Sequence, residues 1–395
     1  MRAASIMIRR PGLRYPHRHG RAHCKTRGGR KKRDMEVAVL MPGVYPLESN
    51  EHFLRLGEQI GACAAWVPDH LLGTFHPDLW ADEPYSEVVP DPDAHYDPFC
   101  MLAAMGRQTS LTLGIAVTDS PRRRAVDVAR SALSLHHLCR GGMHLGVGSG
   151  EAESLVPFGY PFDKPVGRFE EFVRELRHIL DTGGMPGGGC GRVGLPLESA
   201  LGKPKVWVAG HGPRMLRLTG QYGDGWLPAW RMSAAEYARK KEIVAGHARE
   251  AGREPPIAGL LAPMIMGESR AQLHDYLEEN PISKLAALFI PGQAWEPYGI
   301  EHPAGPESRG LVDVIIHELD AEELRALAPR IPIELVDDFY FTGGPMEMYE
   351  QLAAYRDGGC EHMVLSILMS PFEGEEGVDR SVTALKELSH KLAEG

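Results

Sequence analysis

The chain has 395 residues, 43% of them hydrophobic and 24% charged, the ordinary balance of a globular protein. That length allows one large domain or two ordinary ones, and no run of about eighteen apolar residues offers a membrane-spanning segment, so none is expected. Residues 1–34 hold twelve of the 43 basic side chains and one of the 53 acidic ones, leaving 31 against 52 elsewhere. So acidic a body makes a poor nucleic-acid binder, and no nucleic-acid partner is expected.

The basic segment 1–34 lacks apolar periodicity and the apolar stretch of a secretory signal. A nucleic-acid arm, an Arg-rich transit peptide and a disordered leader ahead of a start at Met35 compete for it. The leader is favoured, because the first strand-like run begins there, which leaves 35–395 as a single domain. The six cysteines (Cys24, Cys63, Cys100, Cys139, Cys190, Cys360) are scattered without a CxxC pair. That points to a reducing, cytoplasmic compartment and away from a disulfide scaffold or a structural zinc site. No metal is expected.

From Met35 onward, strand-like runs alternate with amphipathic helical ones. The predicted strands are 36–41, 64–68, 111–117, 143–147, 205–209, 225–228, 257–266 and 362–369. Helical periodicity marks 50–61, 98–107, 124–139, 166–181, 213–222, 233–251, 345–357 and 378–393. Strands apolar on both faces imply parallel packing under helices. Eight such units predict an α/β fold, a (β/α)8 TIM barrel with its site at the C-terminal strand ends; a doubly wound open sheet is the alternative. Three stretches interrupt the alternation: 72–97 after strand 2, the glycine-rich 183–203 after strand 4 and its helix, and 281–340 after strand 7, which mixes Pro with short helices. Insertions on the catalytic face would shape a pocket, or serve equally as dimer surfaces.

Four strand ends carry candidate chemistry. Asp69-His70 closes the second, where a histidine can exchange protons near neutral pH, although a surface histidine is the commoner meaning of one such residue. Gly114-Ile115-Ala116-Val117-Thr118-Asp119 closes the third with small and hydroxyl-bearing residues that let a planar ring approach; alone, it reads equally as a strand end with an Asp cap. Met143–Glu151 runs from a buried strand into Gly146, Gly148 and Gly150 and ends on an acid, Glu151. Glycine there lets a backbone approach a ligand, and a tight turn with a solvated acid is the plainer reading. The loop is neither a dinucleotide fingerprint, since Glu151 stands where a glycine is needed, nor a nucleophile elbow. In Trp207-Val208-Ala209-Gly210-His211-Gly212-Pro213-Arg214-Met215 a strand passes straight into a helix whose first-turn N–H groups suit a phosphate, with Arg214 adding charge.

Taken in order, WVPDH, LGIAVTDSPRRRAVDVARSALSLHHLCRGGMHLGVGSGE, KPVGRFEEFV and VWVAGHGPRMLRLTGQYGDGWLP resemble the bacterial-luciferase-like superfamily. Within it they resemble the coenzyme F420-dependent branch, including the phthiodiolone dimycocerosate ketoreductase-like group. The resemblance runs from about Met35 to the C-terminus and is densest over 111–228. It implies a TIM barrel holding a deazaflavin at its mouth, against a strand-3 bulge with a cis peptide at Ala116–Val117 and with Thr118 and Asp119 near the ring. It implies a phosphate at His211-Gly212-Pro213 and Arg214, with Asp69 near the ring and Gly148, Gly150 and Gly210 lining the approach. Asp69 and His70 match the family's Asp-His pair near the reactive ring and Glu151 its acid after the fourth strand; His70 is the expected proton donor, with Glu151 tuning or sharing the proton.

The implied activity is hydride exchange between F420 and an organic carbonyl or alcohol, with a lipid-like ketone or alcohol as substrate and a homodimer as assembly. An FMN-dependent luciferase-like monooxygenase is the alternative, and a non-catalytic cofactor-binding protein a further one. Leu71-Leu72-Gly73-Thr74-Phe75 departs from relatives with a Trp after the Asp-His pair, and Ser154-Leu155 from those with an Asn. Phe75, Trp80, Tyr85, Trp295 and Tyr298 are candidates for lining an apolar pocket, or for core.

Overall fold

In the computed structural model, residues 35–229, 231–369 and 374–394 are described; the basic leader 1–34 lies outside the described residues. Nine parallel strands form: β1 (Glu36–Leu40), β2 (Ala64–Val67), β3 (Thr112–Asp119), β4 (Met143–Gly148), β5 (Lys205–Val208), β6 (Gly225–Trp226), β7 (Ile257–Met266), β8 (Phe341–Gly343) and β9 (His362–Met369). Neighbours pair in the order β6-β5-β4-β3-β2-β1-β9-β7, and a β6–β7 pairing closes the ring. These eight staves are the eight strands expected from sequence. The ninth, β8, pairs only with the far end of β7, Met264 opposite Phe341, and stands outside the ring.

The helices are α1 (Leu47–Gln59), α2 (Pro98–Met105), α3 (Ala125–Leu138), α4 (Ala152–Leu155), α5 (Pro165–Thr182), α6 (Pro213–Tyr222), α7 (Ala234–Glu250), α8 (Arg270–Glu279), α9 (Ala321–Leu327), α10 (Ile333–Phe339), α11 (Pro345–Asp357) and α12 (Gly374–Glu394). The longer ones follow their apolar stripes. Helix α5 starts at Pro165, buries Phe169, Phe172, Val173, Leu176, Ile179 and Leu180, and stops at Gly183 in a left-handed conformation. No described helix is long and apolar enough to cross a membrane.

The barrel's interior is filled rather than open. Trp66, Trp207 and His362 are buried there beside His144, with Trp66 meeting Trp207 edge-on at 5.4 Å between ring centroids. The Trp66 indole N–H donates to His362 Nε2 at 3.0 Å. Two strand glycines make room: a Cβ on Gly114 would come within 2.4 Å of the Trp66 ring, and one on Gly225 within 2.2 Å of Trp207. Bulk on one strand is thus matched by its absence on the next, as interior packing requires.

Two of the three expected interruptions lie on the catalytic face, and one does not. Residues 183–203 join the C-terminal end of α5 to the start of β5, and a helix-to-strand connection necessarily lies at the opposite end of the barrel from the site. It is tied down there by His136 Nε2 to the Gly202 carbonyl at 2.9 Å. The segment after β7 holds the expected short helices, α9 and α10, and an unexpected α8, around a core of its own that includes Leu277, Leu285, Leu288, Trp295 and Val336. It packs on the segment after β2: Ser283 donates to Glu83 at 3.1 Å, and His317 pairs with Asp93 at 3.0 Å.

Candidate active site

Three adjacent strands deliver the central cluster. The end of β2 carries Asp69 and His70, the end of β3 carries Thr118 and Asp119, and β4 runs through Gly148 into Glu151 and α4. Strand β3 slips its register against β4 between Ile115 and Thr118, and the Ala116–Val117 peptide within that bulge is cis, as the resemblance implied. Gly148 faces the bulge so closely that a Cβ there would lie 2.8 Å from a Val117 methyl. Gly150 has φ +97°, a conformation that strains any L side chain, and turns the chain so that α4 folds back over the mouth.

Helix α4 then makes two contacts to the β2 end. His70 Nδ1 lies 2.6 Å from Glu153 Oε1, and the Leu71 N–H donates to Ser154 Oγ at 3.3 Å. Glu153 is buried, 1% exposed, whereas His70 keeps part of its ring at the surface. Glu151 Oε2 stands 3.9 Å from the same His70 nitrogen. His70, Glu151 and Glu153 present one nitrogen and two carboxylates within 4.8 Å of one another. Yet 2.6 Å is a hydrogen-bond distance; two ligands each about 2.0–2.2 Å from one tetrahedral ion would stand roughly 3.3 Å apart or more.

Electrostatics follow from this packing. Burial disfavours the His70 cation, but the charge and hydrogen bond of Glu153, with Glu151 and Asp119 behind it, outweigh that and raise its pKa to about 9. Burial pushes the Glu151 carboxyl up to about 8 against the pull of His70, with Glu153 adding to the rise. Asp119 is pushed up to about 7 by burial, partly offset by Arg122. At neutral pH the mouth therefore holds an imidazolium and a predominantly protonated Glu151. His95, its ring 5.7 Å from that of His70, is driven down to about 3 by burial and by the His70 charge.

Arg122 anchors the set from below. It lies 3.0 Å from Asp69 and 3.4 Å from Asp119, almost wholly buried, while Arg123 joins Asp69 to Asp97. Asp69, expected at the cofactor, is thus turned toward two guanidinium groups. Asp119 shares Arg122 yet stays beside His70. Thr118 Oγ1 and Ser120 Oγ are buried without a hydrogen-bond partner.

The β5 end stands across β4 from the bulge. Pro213 opens α6, with Gly212 as its N-cap and no side chain capping the first turn. A Cβ on Gly212 would meet nothing within 4 Å, so the turn is open; one on Gly210 would lie 2.6 Å from Met215. The Gly210 carbonyl accepts from the Trp226 indole at 2.9 Å, and His211, pushed down to about 4 by burial, accepts from the Ala229 N–H. Arg214, expected as phosphate cation, grips Glu170 Oε2 at 2.6 Å, and Arg217 takes the other oxygen.

Glu153, Arg122, Arg123 and His95 were missed in the sequence reading. Glu153 hides one residue beyond Ala152 in a stretch whose first acid, Glu151, drew the attention, and an acid followed by Pro121-Arg122-Arg123-Arg124 was the overlooked sign of a buried ion pair. Among the pocket candidates, Trp295 is fully buried core, and Trp80 is buried with its N–H on the Val89 carbonyl at 2.6 Å.

A closed parallel barrel with a bulged third strand and an acid–imidazole cluster at its C-terminal mouth has the architecture of a TIM-barrel enzyme, and the family match adds the luciferase-like oxidoreductase class. The chain belongs to that family: a family model described as luciferase-like monooxygenase matches residues 32–362. Among its relatives, the phthiodiolone/phenolphthiodiolone dimycocerosates ketoreductase of Mycobacterium tuberculosis (strain ATCC 25618 / H37Rv) is 37% identical over 352 residues, 84% of this chain and 90% of that protein. In fold it resembles an F420-dependent secondary alcohol dehydrogenase solved with an F420-acetone adduct (TM-score 0.65, 17% identity, 90% of this chain and 99% of that one). It also resembles the oxygenating constituent of 3,6-diketocamphane monooxygenase of Pseudomonas putida, solved with FMN (TM-score 0.58, 14% identity, 91% and 98%). Structural neighbours thus bind F420 or FMN.

Proposed function

We propose that this protein is an F420-dependent, ketoreductase-like oxidoreductase that exchanges a hydride between coenzyme F420 and an organic carbonyl or alcohol, a lipid-like one by analogy with its ketoreductase relative. The observation that carries the reading is the His70 ring held 2.6 Å from the buried Glu153 carboxyl beside the bulge of β3. A carbonyl that receives hydride needs a proton at its oxygen, and a positioned acid at the mouth supplies one.

The residues present fit a deazaflavin. Thr118 Oγ1 and Ser120 Oγ are buried polar atoms without partners at the end of β3, beside the bulge against which a ring would lie. Thr118, Asp119, Ala116, Val117, Gly148 and Gly150 would hold the ring. The uncapped first turn of α6, reached through Gly210, His211, Gly212 and Pro213, would hold a phosphate. With Arg214 committed to Glu170, that phosphate would rest chiefly on backbone N–H groups. When bound, F420 gives or accepts the hydride. His70 donates the proton to the carbonyl oxygen, and Glu151, itself protonated at neutral pH, tunes or shares that proton.

An FMN-dependent monooxygenase would use the same barrel and cradle. Relatedness to a ketoreductase at 37% identity favours carbonyl reduction over oxygen insertion. The test is an equilibrium fluorescence titration of the protein lacking residues 1–34 with F420 and with FMN separately. Tighter binding of F420 is expected; tighter binding of FMN would transfer the protein to the monooxygenase reading.

A further inference from the structure

We propose that buried Glu153 is a positioning residue that keeps His70 loaded with its proton at neutral pH, and that it thereby sets the pH range over which the site can deliver a proton to a ketone. The proposal rests on the ketoreductase-like reading for its chemistry and on α4 for its geometry. All four α4 residues are buried. Two successive ones grip the β2 end, Glu153 through the His70 ring and Ser154 through the Leu71 N–H. Glu153 Oε2 is buried without a hydrogen-bond partner, so the hydrogen-bonding capacity of this carboxylate goes to the imidazole. A desolvated carboxylate in that position is stabilised by a cation and strongly disfavours a neutral ring.

Every charged group packed on His70 agrees or is neutralised. Glu153 on α4 favours the imidazolium by charge and hydrogen bond, and Glu151 and Asp119 add to it only as they ionise. His95 opposes it only if charged, and burial keeps it neutral. Arg122 and Arg123 are engaged by Asp69, Asp119 and Asp97. With Nδ1 turned to Glu153, the Nε2–H remains as the donor to a ligand.

In the reductive step the carbonyl carbon gains a hydride, which needs a reduced two-electron carrier of the deazaflavin class. The C=O π pair becomes the O–H bond as the proton leaves His70 Nε2, and the ring becomes neutral while Nδ1–H stays on Glu153. The reverse step requires that neutral ring to be present beforehand. With His70 at about 9, the loaded form exceeds the neutral one roughly 100-fold at pH 7. Reduction should therefore be flat to about pH 8 and fall above 9, while oxidation should rise about tenfold per pH unit over the same approach.

The decisive measurement is a proton NMR titration of the His70 ring in the cofactor-free protein, for wild type, Glu153→Gln and Glu153→Asp, with His70→Ala to assign the signal. His70 in wild type is expected to titrate near pH 9. It should fall by about 1–3 pH units in Glu153→Gln, whose circular dichroism stays native, and recover partly in Glu153→Asp, which restores the charge. A wild-type midpoint near 6.5, or an unmoved midpoint in a folded Glu153→Gln, would overturn the proposal. Should Glu153→Gln not fold, the wild-type and Glu153→Asp midpoints decide: a normal midpoint in wild type, or an Asp variant that loses the elevation entirely, rejects it. None of these readings requires F420, so failure of the protein to bind F420 would sink the proposed function while leaving the Glu153–His70 coupling standing or falling on its own titration.

Discussion

The hydrogen bond between His70 Nδ1 and Glu153 Oε1 leaves the other edge of the imidazole for a ligand, and that asymmetry separates chemistry from binding. Replacing His70 by Ala should lower turnover about 10²–10⁴-fold while leaving F420 affinity nearly unchanged, checked by steady-state rates beside fluorescence titration. Parallel loss of both would mean that His70 holds the cofactor rather than the reaction. Arg122 plays a different part. Changing it to Met would leave Asp69 and Asp119 buried without their main cation, and should cost about 3–5 kcal/mol in urea unfolding. A neutral result would mean that the ion pairs of Arg122 do not hold the fold. His70 and Glu151 were legible because each stands where an apolar run stops, a position that side-chain type alone makes suspect. Glu153 and Arg122 were not, since what matters about them is burial against a residue 83 or 53 positions away, and no local pattern records it.

The strands that deliver these residues depend on compensating sizes across the ladder. Gly114 accepts the face of Trp66 from the neighbouring strand, so Gly114→Ala should overpack the barrel and cost about 1–3 kcal/mol, read from the urea midpoint. An unchanged midpoint would show that the interior has slack. Element by element, helices at 213–222 and 345–357 matched their predicted limits, because Pro at the start and Gly at the end punctuate both. Short helices mixed with Pro were expected in 281–340, where α9 and α10 lie; helix α8, capped by Ser269 and Asn280 without that punctuation, and the three-residue strand β8 escaped notice. The bulge in β3 could be placed only by resemblance, since Ala116-Val117 has no propensity of its own for a cis bond.

For the whole molecule, several buried groups shape the response to pH, and His70, Glu151 and His211 show its two directions. His70 binds its proton up to about pH 9 when folded but only to 6.5 when unfolded, so its contribution is present below 6.5 and lost as the pH rises through 9. Glu151 works in the same direction, since the folded protein holds a proton up to about 8 that the unfolded chain releases near 4.5. His211, held down at about 4, acts oppositely and only below 6.5. Stability should therefore decline from about pH 6.5 to 9, and His70→Ala should flatten that decline, as thermal or urea midpoints at several pH values would reveal. A stability that rises over this interval would contradict the assigned charges.

The central claim is tested most directly by mixing the protein anaerobically with reduced F420 and a panel of ketones of increasing chain length, following the return of the oxidised cofactor's absorbance. Reoxidation that requires a ketone, proceeds without oxygen and yields the matching alcohol is the predicted result. Reoxidation that requires oxygen, or that occurs only when FMN replaces F420, would contradict it.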